Sequence, residues 1–342
     1  MTSERDVRTG TSGPEVTVAD VRQARQRIAA IVRRTPLIRS AALSERTGAS
    51  VHLKLESLQE TGSFKVRGAA NLMLQLSDAE KARGVITVST GNHGRAVAYV
   101  ARRLGIPAVI CMSERVPRQK EEAIRALGAE VVVRGASYDE AERNSVELAR
   151  ERGLVRIEGF DDPRVIAGQG TIGLELLEDL PDIDTAVVPL SGGGLISGIA
   201  VALASSGRKV RVVGVSQERA PVMVASLRAG RQVELPEEET LADALAGGIG
   251  LANRHTFRMV GELVDETILV SEREIASAIV FAIEHERLVI EGGGAVGIAA
   301  LLHGHVHAPG RNVAVVVSGG NIASELLCTL MAKTSTGEGP AS

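Results

Sequence analysis

From Val85 onward the chain alternates short apolar runs with helix-forming stretches of ten or more residues, and this alternation restricts the fold more than any other feature. The apolar runs are VITVS at 85–89, AVICM at 108–112, AEVVVRG at 129–135, LVRIEG at 154–159, TAVVPL at 185–190, VRVVGVS at 210–216 and NVAVVV at 312–317. Between them stand RAVAYVARRLG at 95–105 and VPRQKEEAIRALG at 116–128, closed by Gly105 and Gly128, with Pro117 early in the second. Further helical patterns cover 138–152 and the region near 164–180. Strands linked by helices of that length need crossover connections, so they run parallel, and a parallel sheet must be covered on both faces. The predicted fold class is therefore α/β, in three layers. Helices precede the first strand and no linker stands out. Two interleaved α/β domains are expected, one from residues 16–55 with 160–330 and a smaller one over 56–159.

Residues 1–15 read as a disordered tail. Thr17 caps the first helix, with Asp20 three positions on, and Thr35-Pro36 stops it because proline drives its predecessor toward extended geometry. SAALSERTG is a second helix closed by Gly48, and VHLKL at 51–55 is the first clear strand. Residues 228–270 are irregular in pattern. A helix over 271–287 leads into LVIEGGGAVGIAALLHG.

Composition removes several classes. A net charge of −3 with no basic run gives nucleic acid no footing, and 2% aromatic residues with no Trp provide no stacking platform. No apolar run is as long as a membrane span, and the polar N-terminus does not resemble a signal peptide, so a cytoplasmic location is expected. Cys111 and Cys328 lie beside apolar runs and are too few for a disulfide framework; both are expected to be reduced and structural.

Three turns follow apolar strands and carry groups suited to anions. SGGGLISG, Ser191 to Gly198, enters a helix, so the backbone N–H groups of Gly192, Gly193, Gly194 and Leu195 can converge on a phosphate. It has neither the lysine of a Walker loop nor the spacing of a dinucleotide fingerprint. STGNHG offers Ser89, Thr90, Asn92 and His93 beside a helix start, suited to a carboxylate and a hydroxyl. In SGGN at 318–321, Ser318 can meet a ring nitrogen as a neutral hydroxyl. Lys65, in TGSFKVRG, stands in the first turn of a helix, where the positive dipole end favours the neutral amine that attacks an aldehyde. One nucleophilic amine with several anion-binding turns outlines a site for a phosphorylated cofactor.

These motifs, SFKVRGA at 63–69, STGNH, SGGGL and SGGN in that order, resemble the serine/threonine dehydratases. Those are fold-type II pyridoxal-phosphate enzymes akin to tryptophan synthase β subunits, and the likeness runs from about residue 20 to 330. The resemblance implies two three-layer α/β domains with parallel sheets, the larger binding pyridoxal 5'-phosphate. It implies that Lys65 carries the cofactor covalently, Phe64 lies against its ring and Asn92 bonds the ring hydroxyl. Gly192, Gly193, Gly194 and Leu195 would hold the phosphate, Ser318 the pyridine nitrogen, and Ser89, Thr90, Asn92 and His93 the substrate carboxylate. Lys65 and Thr90 are the expected catalytic residues, and the expected partners are an amino-acid substrate and further copies of the chain, as a dimer or tetramer.

The activity implied is elimination of water, then ammonia, from a β-hydroxy amino acid. Threonine, serine, hydroxyaspartate and the hydroxylated acids of compatible-solute breakdown are all admissible, and a hydroxyectoine-utilisation dehydratase is one branch. A neutral ring nitrogen against Ser318 favours prompt elimination. Other readings are a β-replacement synthase, a racemase and a non-enzymatic small-molecule binding protein. The family commonly has Gln where Arg95 stands, and Glu-Pro where Ser216 and Gln217 stand. Without that glutamate no metal site is expected. Glu291 opens EGGGA where E-P-x-G-A is frequent, and with few residues after MAKTS no C-terminal regulatory domain is expected.

Overall fold

The computed structural model describes residues 16–335 apart from 90, 115, 117 and 137. The predicted tail at 1–15, the helix-opening Pro117 and the proposed catalytic Thr90 thus lie outside the described residues. The first third contains α1 (Val18–Ile28), β1 (Leu37–Ser40), α2 (Ala41–Thr47), β2 (Ser50–Leu55), α3 (Lys65–Met73), α4 (Asp78–Arg83), β3 (Val85–Val88) and α5 (Asn92–Leu104). Next come β4 (Ala108–Met112), α6 (Arg118–Arg125), β5 (Glu130–Val133), α7 (Tyr138–Arg152), β6 (Val155–Arg156), α8 (Pro163–Asp179), β7 (Thr185–Pro189) and α9 (Gly194–Ala204). The last part holds β8 (Arg211–Gln217), α10 (Val222–Ala229), α11 (Thr256–Leu263), β9 (Glu266–Val270), α12 (Glu272–Phe281), α13 (Gly292–Leu302), β10 (Asn312–Val317) and α14 (Ser324–Ser335). No helix among the described residues is long and apolar enough to cross a membrane.

Two sheets form. One has the order β1-β2-β10-β7-β8-β9 and the other β5-β4-β3-β6. Strand alternation sorts the first sheet's core. Val313, Val315 and Val317 pack with Val51 and Leu53 against α12 and α13, while Ala314 and Val316 face α8 and α9. In the second sheet Val85 and Ile110 meet α3 and α5, and Ile86 and Val88 meet α7. Helices cover both faces of each sheet, the three-layer arrangement expected.

Several elements differ from expectation. The first sheet is mixed, because β1 runs antiparallel to β2 at its edge with Leu37 opposite Lys54. β1 is four residues long and carries the exposed Arg39, too little for a periodic signal. β9 falls in the stretch read as irregular; only Ile268 and Val270 of its five residues are buried, so its charged start hid the alternation. The helix expected over 271–287 ends at Phe281 in a π-turn over Ala282–Glu286, with Arg287 left-handed at φ 62°. Thr17 does cap α1, in a reciprocal box with Asp20. Cys111 is buried, its thiol pushed up to about 11 by desolvation, whereas Cys328 lies exposed on α14; both are free.

The elements that carry the site share a spine, α8. Gly168 lies so close to α3 that a Cβ there would stand 2.6 Å from the Arg67 carbonyl oxygen. On the other flank, a Cβ on Gly170 would stand 2.7 Å from the carbonyl oxygen of Gly198 in α9. A buried charge network fastens α3 to the same spine. Arg67 donates to both Glu56 oxygens at 2.8 Å and to Glu175 at 2.7 and 3.0 Å, and Lys54 Nζ reaches Glu175 at 2.6 Å. All four charged side chains are shut away from solvent, so each charge depends on its partners.

Candidate active site

Lys65 is the first residue of α3, and backbone pairing fixes what faces it. Phe64 N–H donates to Ser318 O at 3.0 Å, Gly320 N–H to Gly62 O at 2.9 Å, and Ser63 bridges to Gly319. The SFK and SGGN motifs, some 250 residues apart in the chain, are thereby zipped edge to edge. The Lys65 ammonium is half-buried and donates to Gly159 O at 2.8 Å. Burial alone pushes its pKa down to about 8, so desolvation supplies the effect that the sequence reading assigned to the helix dipole.

Gly159 continues into Phe160, which connects the lysine to the glycine-rich turn. Gly192 and Gly194 press against Phe160, and Gly193, at φ 87°, is the N-cap of α9. The three glycines are therefore demanded by the protein's own packing as well as by any anion. The first bond of α9 runs from Ser197 N–H to Gly193 O at 3.0 Å, so the N–H groups of Gly194 and Leu195 precede the helical ladder. Phe64 packs against the apolar cluster that contains Leu195, and its ring centroid lies 5.3 Å from Lys65 Nζ.

His93 brings the STGNHG motif to the same loop, since a Cβ on Gly159 would stand 3.5 Å from its ring. Ser89 Oγ accepts from Gly91 N–H at 3.2 Å, and Gly91, at the N-cap of α5, has no side chain to offer the helix start. α5 begins at Asn92, three residues before the predicted start, because the turn's Asn-His-Gly forms its first turn. His93 is buried, with Nε2 3.1 Å from Ile157 O, so that nitrogen carries the proton and Nδ1 is left as an acceptor without a partner. Burial and the nearby Lys65 push its pKa down to about 3. A neutral imidazole attracts no carboxylate by charge, so anion binding here falls to the backbone N–H groups opening α5.

Asn92 stands in a relay whose members lie in motifs the sequence showed without their connection. Arg95 Nη1 donates to Asn321 Oδ1 at 3.0 Å; Asn321 Nδ2 donates to Asn92 Oδ1 at 2.6 Å and to Thr61 O at 2.9 Å; Asn92 Nδ2 donates to Glu291 Oε1 at 2.6 Å. Glu291 is buried, and desolvation, seconded by Asp243, pushes its pKa up to about 7 against the pull of Asn92, the Asn321 backbone N–H and Lys120. Sequence reasoning treated Glu291 as a feature of a turn. Its apolar surroundings, EGGGAVGIAALL, were the signal that a carboxylate opened a buried helix. Ser318 Oγ is buried and donates to Gly293 O at 3.3 Å.

The structure thus gathers Ser63, Phe64, Lys65, Asn92, His93, Glu291 and Ser318 with the 192–195 turn, linked through Gly159 and Phe160. These residues fit the cofactor implied by the motifs. A desolvated amine is available for an aldehyde, a helix start with unbonded N–H groups for a phosphate, and the buried Ser63 Oγ and His93 Nδ1 lack partners within the protein.

Comparison with known proteins agrees. Residues 28–319 match the family model described as pyridoxal-phosphate dependent enzyme. A protein of Sinorhizobium fredii that bears a provisional threonine dehydratase name is 51% identical over 307 residues, covering 90% of this chain and 92% of that one. The L-threonine ammonia-lyase of Thermotoga maritima is 45% identical over 318 residues, 93% of this chain and 79% of its own. Among solved structures, maize serine racemase superposes with a TM-score of 0.87 at 35% identity, covering 94% of this chain and 99% of that one. With the motif order and the geometry around Lys65, these matches establish that the chain belongs to the serine/threonine dehydratase group of the pyridoxal-phosphate dependent enzymes, with pyridoxal 5'-phosphate as its cofactor.

Proposed function

We propose that the chain is an ammonia-lyase that removes water by α,β-elimination from a β-hydroxy amino acid, of the threonine or serine type or the hydroxylated acid released in hydroxyectoine breakdown. The observation that carries this reading is Lys65: a half-buried amine, held toward the neutral form, beside the SGGN turn and the Gly159–Phe160 loop that packs on the start of α9. The bound cofactor supplies an electron-withdrawing ring that makes the substrate α-proton removable. Lys65 provides the attachment point and, once displaced by the substrate amine, the base that takes that proton. Gly192 to Leu195 would hold the phosphate, Phe64 would lie against the ring, Asn92 would bond the ring hydroxyl, and Ser318 would meet the pyridine nitrogen. Ser89, Thr90, Asn92 and His93 border the substrate carboxylate. In this reading residues 16–55 with 160–330 and residues 56–159 act as two bodies on either side of the cleft, in a cytoplasmic homo-oligomer.

Elimination is expected over racemisation because Thr90 occupies the motif position at which racemases of this family carry serine, and a β-branch restricts the rotamers open to a re-protonating hydroxyl. The test is incubation with L-threonine, L-serine and the hydroxylated acid in D₂O. Keto acid is expected with little α-deuterated D-isomer; D-isomer formed as fast as keto acid would move the chain to the racemase reading. Lys65→Ala is expected to lower turnover by several orders of magnitude while leaving some non-covalent cofactor binding.

A further inference from the structure

We propose that Arg95 is a positioning residue that acts through Asn321 to aim an N–H of Asn92 at the cofactor's ring oxygen and to keep that oxygen ionised. The inference rests on the cofactor contact assigned to Asn92 above. Arginine has only donors, so Asn321 turns Oδ1 toward it and Nδ2 away, toward Asn92. Asn92 in turn accepts on Oδ1 and points Nδ2 at Glu291, and one N–H of that amide takes the carboxylate. The second N–H remains for the cofactor. Every bond in the chain from Arg95 to Glu291 therefore runs in one direction, with the Thr61 carbonyl enforcing the same orientation of Asn321.

Charge adds to polarity. Glu291 is buried beside the amide that would meet the ring oxygen, and its carboxylate disfavours a second negative charge there. Arg95 is half-buried and interacts electrostatically with Glu291, so its cation offsets that repulsion from the far end of the relay. Asp243 and Lys120 also act on Glu291, but with opposite signs. Arg95 is the cation joined to Asn92 through an amide.

The experiment reads the absorption of the cofactor-loaded protein near neutral pH, where the ionised ring oxygen gives a visible band and the neutral hydroxyl a near-ultraviolet one. Cofactor affinity and melting temperature are measured alongside. Arg95→Met is expected to move absorbance from the visible to the near-ultraviolet band and to weaken cofactor binding by roughly five- to tenfold, the scale of one lost hydrogen bond. Asn321→Ala, which breaks the relay with the cation in place, should move both readouts the same way, and Arg95→Lys should retain most of the wild-type spectrum. A packing role alone would move the melting temperature and leave the bands in place. Wild-type band ratios and affinity in both Arg95→Met and Asn321→Ala overturn the inference, as does a shift in Arg95→Met with none in Asn321→Ala. Absence of any visible band in the loaded wild-type protein would instead overturn the cofactor contacts assigned above, and this inference with them.

Discussion

The Lys65 ammonium is half-buried against the Gly159 carbonyl, and desolvation lowers its pKa to about 8 where an exposed lysine titrates at 10.5. The folded state therefore binds this proton less readily than the unfolded chain. Below about pH 8 the cost of burying the cation is present in full, and it is relieved as pH rises toward the unfolded value. In the cofactor-free protein, Lys65→Met should raise stability near pH 7 by about 2 kcal/mol, allowing for the unpaired Gly159 carbonyl. The gain should shrink as pH rises past about 8, in denaturant titrations of both proteins; a gain that grows with pH would contradict the assignment. Arg67 has the reverse logic. It stands between two carboxylates that are themselves buried, so Arg67→Met leaves uncompensated charge and should cost about 3–5 kcal/mol by the same titrations. Lysine and glycine motifs could be read from the chain because their chemistry is local. Glu56, Glu175 and Glu291 could not, because a carboxylate's role depends on which distant cation or amide it meets.

At the scale of elements, α8 holds α3 and α9 at backbone distance, and through them the lysine and the phosphate-binding turn. Its approximate span could be read from the sequence; the structure adds that Asp162 caps it with Pro163 in the first turn. That Gly168 and Gly170 point in opposite directions at two functional helices could not, since glycine leaves no mark on an apolar pattern. Gly168→Ala must push α3 outward. It is expected to cost about 1–3 kcal/mol and to lower cofactor occupancy more than a similar loss of stability elsewhere would, measured by melting and by titration with pyridoxal 5'-phosphate. Repeated βα units announced themselves because helices and strands of that length have distinct periods. β1 and β9 escaped because strand identity there comes from the neighbours they pair with.

Across the whole molecule, Lys120 on α6 pairs with Asp243 at 2.5 Å, joining the elements around the β3–β6 sheet to those around the larger sheet. The pair is partly exposed, so it contributes at most about 1 kcal/mol to stability. Lys120→Ala should leave the melting temperature nearly unchanged and alter the KM for substrate by no more than about fivefold. The difference from wild type should fade in high salt; a large loss of stability would show that the pair does more than a surface ion pair.

The place of β10 bears on biosynthesis. Of the six strands of the larger sheet this one is made last, yet it lies inside the sheet, hydrogen-bonded to β2 on one side and β7 on the other. Until residues 312–317 are made, β2 and β7 each present an unsatisfied apolar edge, and the six strands cannot close into one sheet. The sheet of β3–β6, whose strands all lie within residues 85–156, can form much earlier. Nascent chains should accordingly carry a finished smaller sheet beside an incomplete larger one for most of translation, the interval in which exposed strand edges invite chaperones or aggregation.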